Sequence, residues 1–168
     1  MPPSPKTQKK LREARFFFDK ISSHEKDFHY DSEEFDFYVS AFLCAARSVT
    51  FFLHAENKAW YDNHFNDFMA SLPADDRDLL AFMNEQRVAE VHRLGSDIQS
   101  VVNMVPLSEL SLRKTPTFKV EWSGPPGTPP PQIGRETHFF KDGATTQEVV
   151  ASSKHYLEIL ATFVEMVK

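Results

Sequence analysis

Cysteine is almost absent from this chain of 168 residues: Cys44 is its only one, which excludes a disulfide framework and a cysteine-based zinc site. Neither device is needed at this length, because one domain of this size buries a core of its own. Lying in an apolar helical run, Cys44 reads as a small core residue and not as a nucleophile. No glutamate is followed three residues later by a histidine, so the Glu-x-x-His pairs of a di-iron bundle are missing in spite of seven histidines. His24 and His29, His54 and His64, and His138 and His155 are spread over separate segments and read as surface or capping groups, so no metal and no cofactor is expected. The chain has no glycine-rich phosphate loop, dinucleotide fingerprint, nucleophile elbow, internal repeat or conspicuous acid pair for glycoside chemistry. The opening Met1-Pro2-Pro3-Ser4-Pro5-Lys6 lacks an apolar leader, and no uninterrupted apolar stretch approaches a membrane span. A cytoplasmic protein without a membrane partner is the expectation. The formal net charge of -5 argues against broad attraction to nucleic acid, so any RNA contact must be local.

Phenylalanine, by contrast, is abundant: 16 residues suffice for an aromatic core and part of an oligomer interface. Leu11, Ala14, Phe18 and Ile21 predict a helix over about 7–22. Asp31 or Ser32 caps a second, with Glu33 and Glu34 in its first turn, that runs as the central helix to about Ala55. Trp60, Tyr61, Phe65, Phe68 and Met69 mark a third over 58–72, and Pro73, Asp75, Asp76, Arg93 and Gly95 bound a fourth over 73–94. Residues 96–114 read as a packed irregular crossing. Phe118, Val120 and Trp122 alternate as a strand whose partner is 137–140, a two-stranded hairpin around the proline-rich tip at 124–131. Thr145-Thr146-Gln147-Glu148 is a capping box that opens a closing helix, apolar at Val149, Tyr156, Leu157, Leu160 and Val164. The expected fold is mainly α and a single domain over 1–168. An antiparallel four-helix bundle, about 7–95, precedes the crossing segment, hairpin and closing helix at 96–168.

The fourth helix carries the one residue out of place. At about 100° per residue Leu80, Met83, Val91 and Leu94 gather on one stripe, with Arg87 near its middle and Asn84 beside it. A guanidinium there is costly unless it is paired, or unless the stripe faces a wet cleft or a second subunit. His92 is about 140° further round the helix, so the two side chains do not form a site from one turn. Two copies of the helix about a two-fold axis would line a shared groove with two arginines and two histidines, a set suited to phosphate chemistry. On the central helix Asp36, Ser40 and Arg47 recur near one stripe beside the small Ala41, Cys44, Ala45 and Ser48. Arg47 is a second candidate lining for a groove, or a partner for Asp36 or Glu90.

The Arg87-x4-His92 spacing on the last helix of a four-helix core resembles the signature of the HEPN superfamily, as do the run from Phe37 to Val49 and the ending with His138-Phe139-Phe140 and a closing helix. The resemblance implies a homodimer and a metal-independent endoribonuclease, such as a toxin with an antitoxin partner or a phage-defence component. In that reading Arg87 stabilises the reacting phosphate and His92 moves the proton, with Asn84 and Glu90 orienting them and Arg47 on a flanking phosphate of the RNA. Catalytic members commonly have a polar residue after the motif arginine, whereas this chain has Val88. The alternative is a noncatalytic HEPN-like binding or assembly module in which Arg87 is a structural ion-pair member.

Overall fold

A 25-residue helix, α2 (Ser32–Glu56), touches every other helix of the computed structural model, which describes residues 5–25, 32–92, 97–106, 129, 132–142 and 145–167. The side chains of His92, Val105, Pro106, Ile133, Asp142 and Thr145 lie outside the described set. Glu33 and Glu34 in the first turn of α2 and His54 in the last oppose the two ends of its dipole. Phe35, Val39, Phe42, Leu43, Ala46, Val49 and Leu53, spaced by threes, fours and sevens, are buried along its length. By length and composition α2 is apolar enough to cross a membrane, the one described helix of which this is true. That differs from the reading of the sequence, which found no stretch approaching a span. In the fold one face of it is covered by the protein itself, while Phe37 and Phe51 are exposed on another.

Helix α1 (Pro5–His24) lies antiparallel against α2. At one end Thr7 Oγ1 donates to Glu56 Oε2 at 2.7 Å, and at the other His24 Nε2 meets Glu34 Oε2 at 3.3 Å. Only Asn57 separates α2 from α3 (Lys58–Ser71). At the far end of α3, Leu72 is extended at φ -72, ψ 145, as a residue before proline prefers, and Pro73 hands over to α4 (Ala74–His92). The closing helix α5 (Val149–Glu165) is the most thoroughly buried for its length and rests on α1, α2 and α4.

The sheet has three strands, not two. β1 (Ile98–Pro106) pairs antiparallel with β2 (Gln132–Asp142), Ile98 opposite Phe140, and β2 pairs with β3 (Thr145–Glu148). The segment expected to cross irregularly is therefore a strand, and it takes the place expected for 118–122, which lie outside the described residues together with the proline-rich tip except Pro129. Val101, Val102 and Met104 are exposed on β1, so no in-out alternation marks it. The capping box is not formed either. Thr145–Glu148 is strand, and Glu148 precedes α5 without a side-chain cap. His138 and Phe140, two residues apart on one face of β2, press into the helices. The ring of His138 lies 4.1 Å from that of Phe35, and its amide donates to Glu25 Oε1 at 3.3 Å, so it is a core group and not the surface histidine expected.

The buried face of α4 is Leu79, Met83 and Gln86, one position round from the stripe expected. Met83 is 1% exposed and Val91 is 49% exposed, and Arg87 is half-buried beside the core face instead of within it. The assignment has a measurable consequence. Met83→Ala costs roughly 2 to 5 kcal/mol by cavity formation, whereas Val91→Ala changes stability by less than about 0.5 kcal/mol. Urea unfolding of the two variants beside the parent checks this; equal costs would return Val91 to the core.

Candidate functional site

The stripe of α4 next to its buried face carries Arg77, Leu80, Asn84 and Arg87, spaced by three, four and three residues, so the two arginines stand about 15 Å apart along the axis. The first three of these, with Ala81, form one wall of a cavity of about 370 Å³. α2 contributes Arg47 and Thr50, α3 contributes Tyr61, Phe65, Phe68 and Met69, and α5 contributes Tyr156, Ile159, Leu160 and Phe163. The aromatic part is organised around Phe163. Its ring lies 4.5 Å from that of Phe68 in a stacked arrangement and 5.6 and 5.7 Å from those of Tyr61 and Phe65.

Charge in the wall is of one sign. Arg47 donates to Thr50 Oγ1, and Arg77 Nη1 donates to the carbonyl of Leu72 at 2.6 Å. Arg87 keeps a buried Nε with no hydrogen-bond partner among the described residues. None of the three makes an ion pair with a described carboxylate. Among the described residues Arg47 pairs with neither of the two acids considered for it, and Arg87 with no carboxylate.

Tyr156 is the centre of this electrostatic neighbourhood. It is 5% exposed, and burial pushes its phenol up to about 12 against the pull of Arg47 and Arg87, with Tyr61 adding to the rise. The phenol is a neutral hydrogen-bond donor at any physiological pH, and its hydroxyl has no hydrogen-bond partner among the described residues. Tyr61 is raised too, by burial first, with Arg47 opposing.

The structure thus brings Arg47, Asn84 and Arg87 round Tyr156, with Glu90 one turn further along α4. Glu90 acts on α2: after burial it is the next cause that raises both Asp36 and Cys44, while Arg87 lowers Cys44. Cys44 is exposed, not the core residue expected, and remains a thiol. His92 ends α4, and its side chain lies outside the described residues. Sequence reading missed Arg77, one stripe with Arg87, and assigned Tyr156 to an apolar face, because periodicity does not distinguish a core ring from one aimed at a cavity. Among the described residues no three histidine, cysteine, aspartate or glutamate side chains converge to hold a metal. Comparison with family models, curated proteins and solved structures gives no match to this chain.

On its other side α4 is acidic. Asp75, Asp76 and Asp78 line a separate groove with His155, whose Nε2 is 2.7 Å from Asp76 Oδ1. The Asp76 carboxylate raises His155 above its ordinary 6.5, with Glu158 helping and desolvation opposing. A raised histidine stabilises the folded state fully below its unfolded pKa and ceases to do so as pH climbs through the folded one. His155→Gln should therefore lower the denaturation midpoint at pH 5.5 and leave it unchanged at pH 9. The ring is about half exposed, so the effect is at most about 1 kcal/mol.

Proposed function

We propose that this chain is a cytoplasmic HEPN-like domain, an antiparallel four-helix bundle with appended sheet and closing helix, that cleaves RNA without a metal as a homodimer. The observation that carries the reading is the half-buried Arg87 with no carboxylate partner among the described residues, placed with Arg47 and Asn84 on one side of α4. A guanidinium left unpaired in a partly dry setting is held against the interest of folding and is suited to a phosphate supplied from outside. Its terminal nitrogens match two phosphate oxygens in a fork.

In this mechanism His92 takes the proton of the ribose 2′-hydroxyl, the oxygen attacks phosphorus, and the bond to the 5′ oxygen breaks. The 5′ oxygen leaves with a proton, and a 2′,3′-cyclic phosphate remains. Arg87 stabilises the added charge on the phosphoryl oxygens, and Arg47 holds a neighbouring phosphate. Asn84 and Glu90 orient the motif. The dimer is supported by the outer face of α2, where Phe37, Cys44 and Phe51, seven residues apart, are all exposed. An antitoxin would be the natural protein partner if the domain is a toxin. A noncatalytic HEPN-like binding module is the second reading, favoured by Val88 after Arg87 and by the enclosed apolar cavity beside it.

The test is incubation of the purified protein with single-stranded and structured RNA in the presence of a chelator. Cleavage to cyclic-phosphate ends is expected, lost in Arg87→Ala and His92→Ala, with the unfolding free energy of Arg87→Ala within about 1 kcal/mol of the parent because no partner charge is stranded. Sedimentation reads the dimer, and Phe51→Asp should give a monomer that no longer cleaves. Intact RNA with a well-folded parent would overturn catalysis in favour of the binding module.

A further inference from the structure

The cavity lined by α2, α3, α4 and α5 shares Arg47 and Asn84 with the RNA reading, but its apolar wall has a chemistry that RNA cleavage does not use. Its volume of about 370 Å³ holds one small molecule, and most of its wall is apolar. Tyr61, Phe65, Met69 and Leu80 offer half-buried apolar surface to it, while Phe68 and Phe163, stacked at 4.5 Å, are almost fully buried. Arg47 acts on the Tyr156 phenol, and Arg77 enters the same space from the first turn of α4. Arg47 and Arg77 line the same space without a carboxylate partner, and the nearly buried Tyr156 presents a hydroxyl that no described group satisfies. No described carboxylate lines the cavity; Asp75, Asp76 and Asp78 of α4 belong to the separate groove. Arg47 and Arg77 are themselves exposed, so they attract an anion as solvated cations whose field no described lining carboxylate offsets.

We infer that this cavity binds a small amphipathic oxyanion: an apolar body against Tyr61, Phe65, Met69 and Leu80, with one carboxylate or phosphate head held by Arg47, Arg77 and the Tyr156 hydroxyl. The two guanidiniums supply charge-assisted donors and the phenol a third, neutral one. A free polynucleotide backbone fits the aromatic wall poorly, so the inference stands independently of the RNA reading.

Isothermal titration of the full chain at pH 7 tests it, with phenyl phosphate, benzoate, inorganic phosphate and phenol as probes. One of the two amphipathic anions should bind at least about tenfold more tightly than either phosphate or phenol, and which one does identifies the head group. Arg47→Met and Arg77→Met should each weaken that probe about tenfold or more, the effect of losing a hydrogen bond to a charged group. Ala81→Leu, which fills the space from α4, should weaken it as well, and Arg15→Met on the exposed side of α1 should not. Amide chemical-shift changes in the unaltered protein should centre on residues 77–84 and 156–163, a readout independent of whether any variant folds. Equal weak binding of all four probes, indifference to both arginine substitutions, or shift changes scattered over surface lysines and arginines would each overturn the site.

Discussion

The burial of α2 is the constraint on which the rest of this fold depends. A helix with six large or branched apolar residues buried from Phe35 to Leu53 has to be covered over its whole length. α1 covers one flank, α4 and α5 cover others, and α3 follows directly from its end. At roughly 25 cal/mol per Å² of apolar surface, this covering is the largest favourable contribution available to the chain. It also determines where polarity can go. With one face of α2 committed to the core, Arg47 and Thr50 fall at the edge of the packed region, where α4 and α5 diverge enough to leave a cavity.

Polar residues partition around α4 in a way that propensity does not explain. Asp75, Asp76 and Asp78 line the groove with His155, while Arg77 lines the cavity, so two separate spaces along one helix carry opposite charge. Tyr156 and His155 are adjacent in α5, yet they face these two environments, one a buried phenol and the other a half-exposed imidazole tied to Asp76. Consecutive residues on a helix diverge by about 100°, enough to place neighbours in different chemistry.

The helices were legible in the sequence because their ends carry chemistry: Glu33 and Glu34 open α2, and the Leu72-Pro73 step closes α3. The oddity of Arg87 was legible as well, since a charge between Met83 and Val91 breaks the pattern. The face it occupies was not, because Val91 turned out to be exposed and Gln86 buried, an exchange that tertiary packing decides. β1 escaped notice for a related reason. Val101, Val102 and Met104 are exposed on both faces of a ribbon that departs from the core, so the alternation that reveals a half-buried strand is missing. Gly134 on β2 leaves room there that sequence alone does not announce: a Cβ on it would come within 2.9 Å of Val102. Thr145–Glu148 illustrates the opposite error, where a good local motif lost to pairing with β2.

Helix α3 is the weakest member of the cavity wall. It has 14 residues, and Phe68 is the one it buries fully. Its connections are a single residue, Asn57, at one end and the extended Leu72 before a proline at the other. Segments with so few buried contacts open locally at a free energy well below that of global unfolding. A pivot about these two junctions would swing Tyr61, Phe65 and Phe68 away together while α2, α4 and α5 kept their packing. The wall with the most aromatic surface would then be the door, and the rate at which anything enters or leaves the interior would be governed by the breathing of one short helix rather than by diffusion through a fixed mouth.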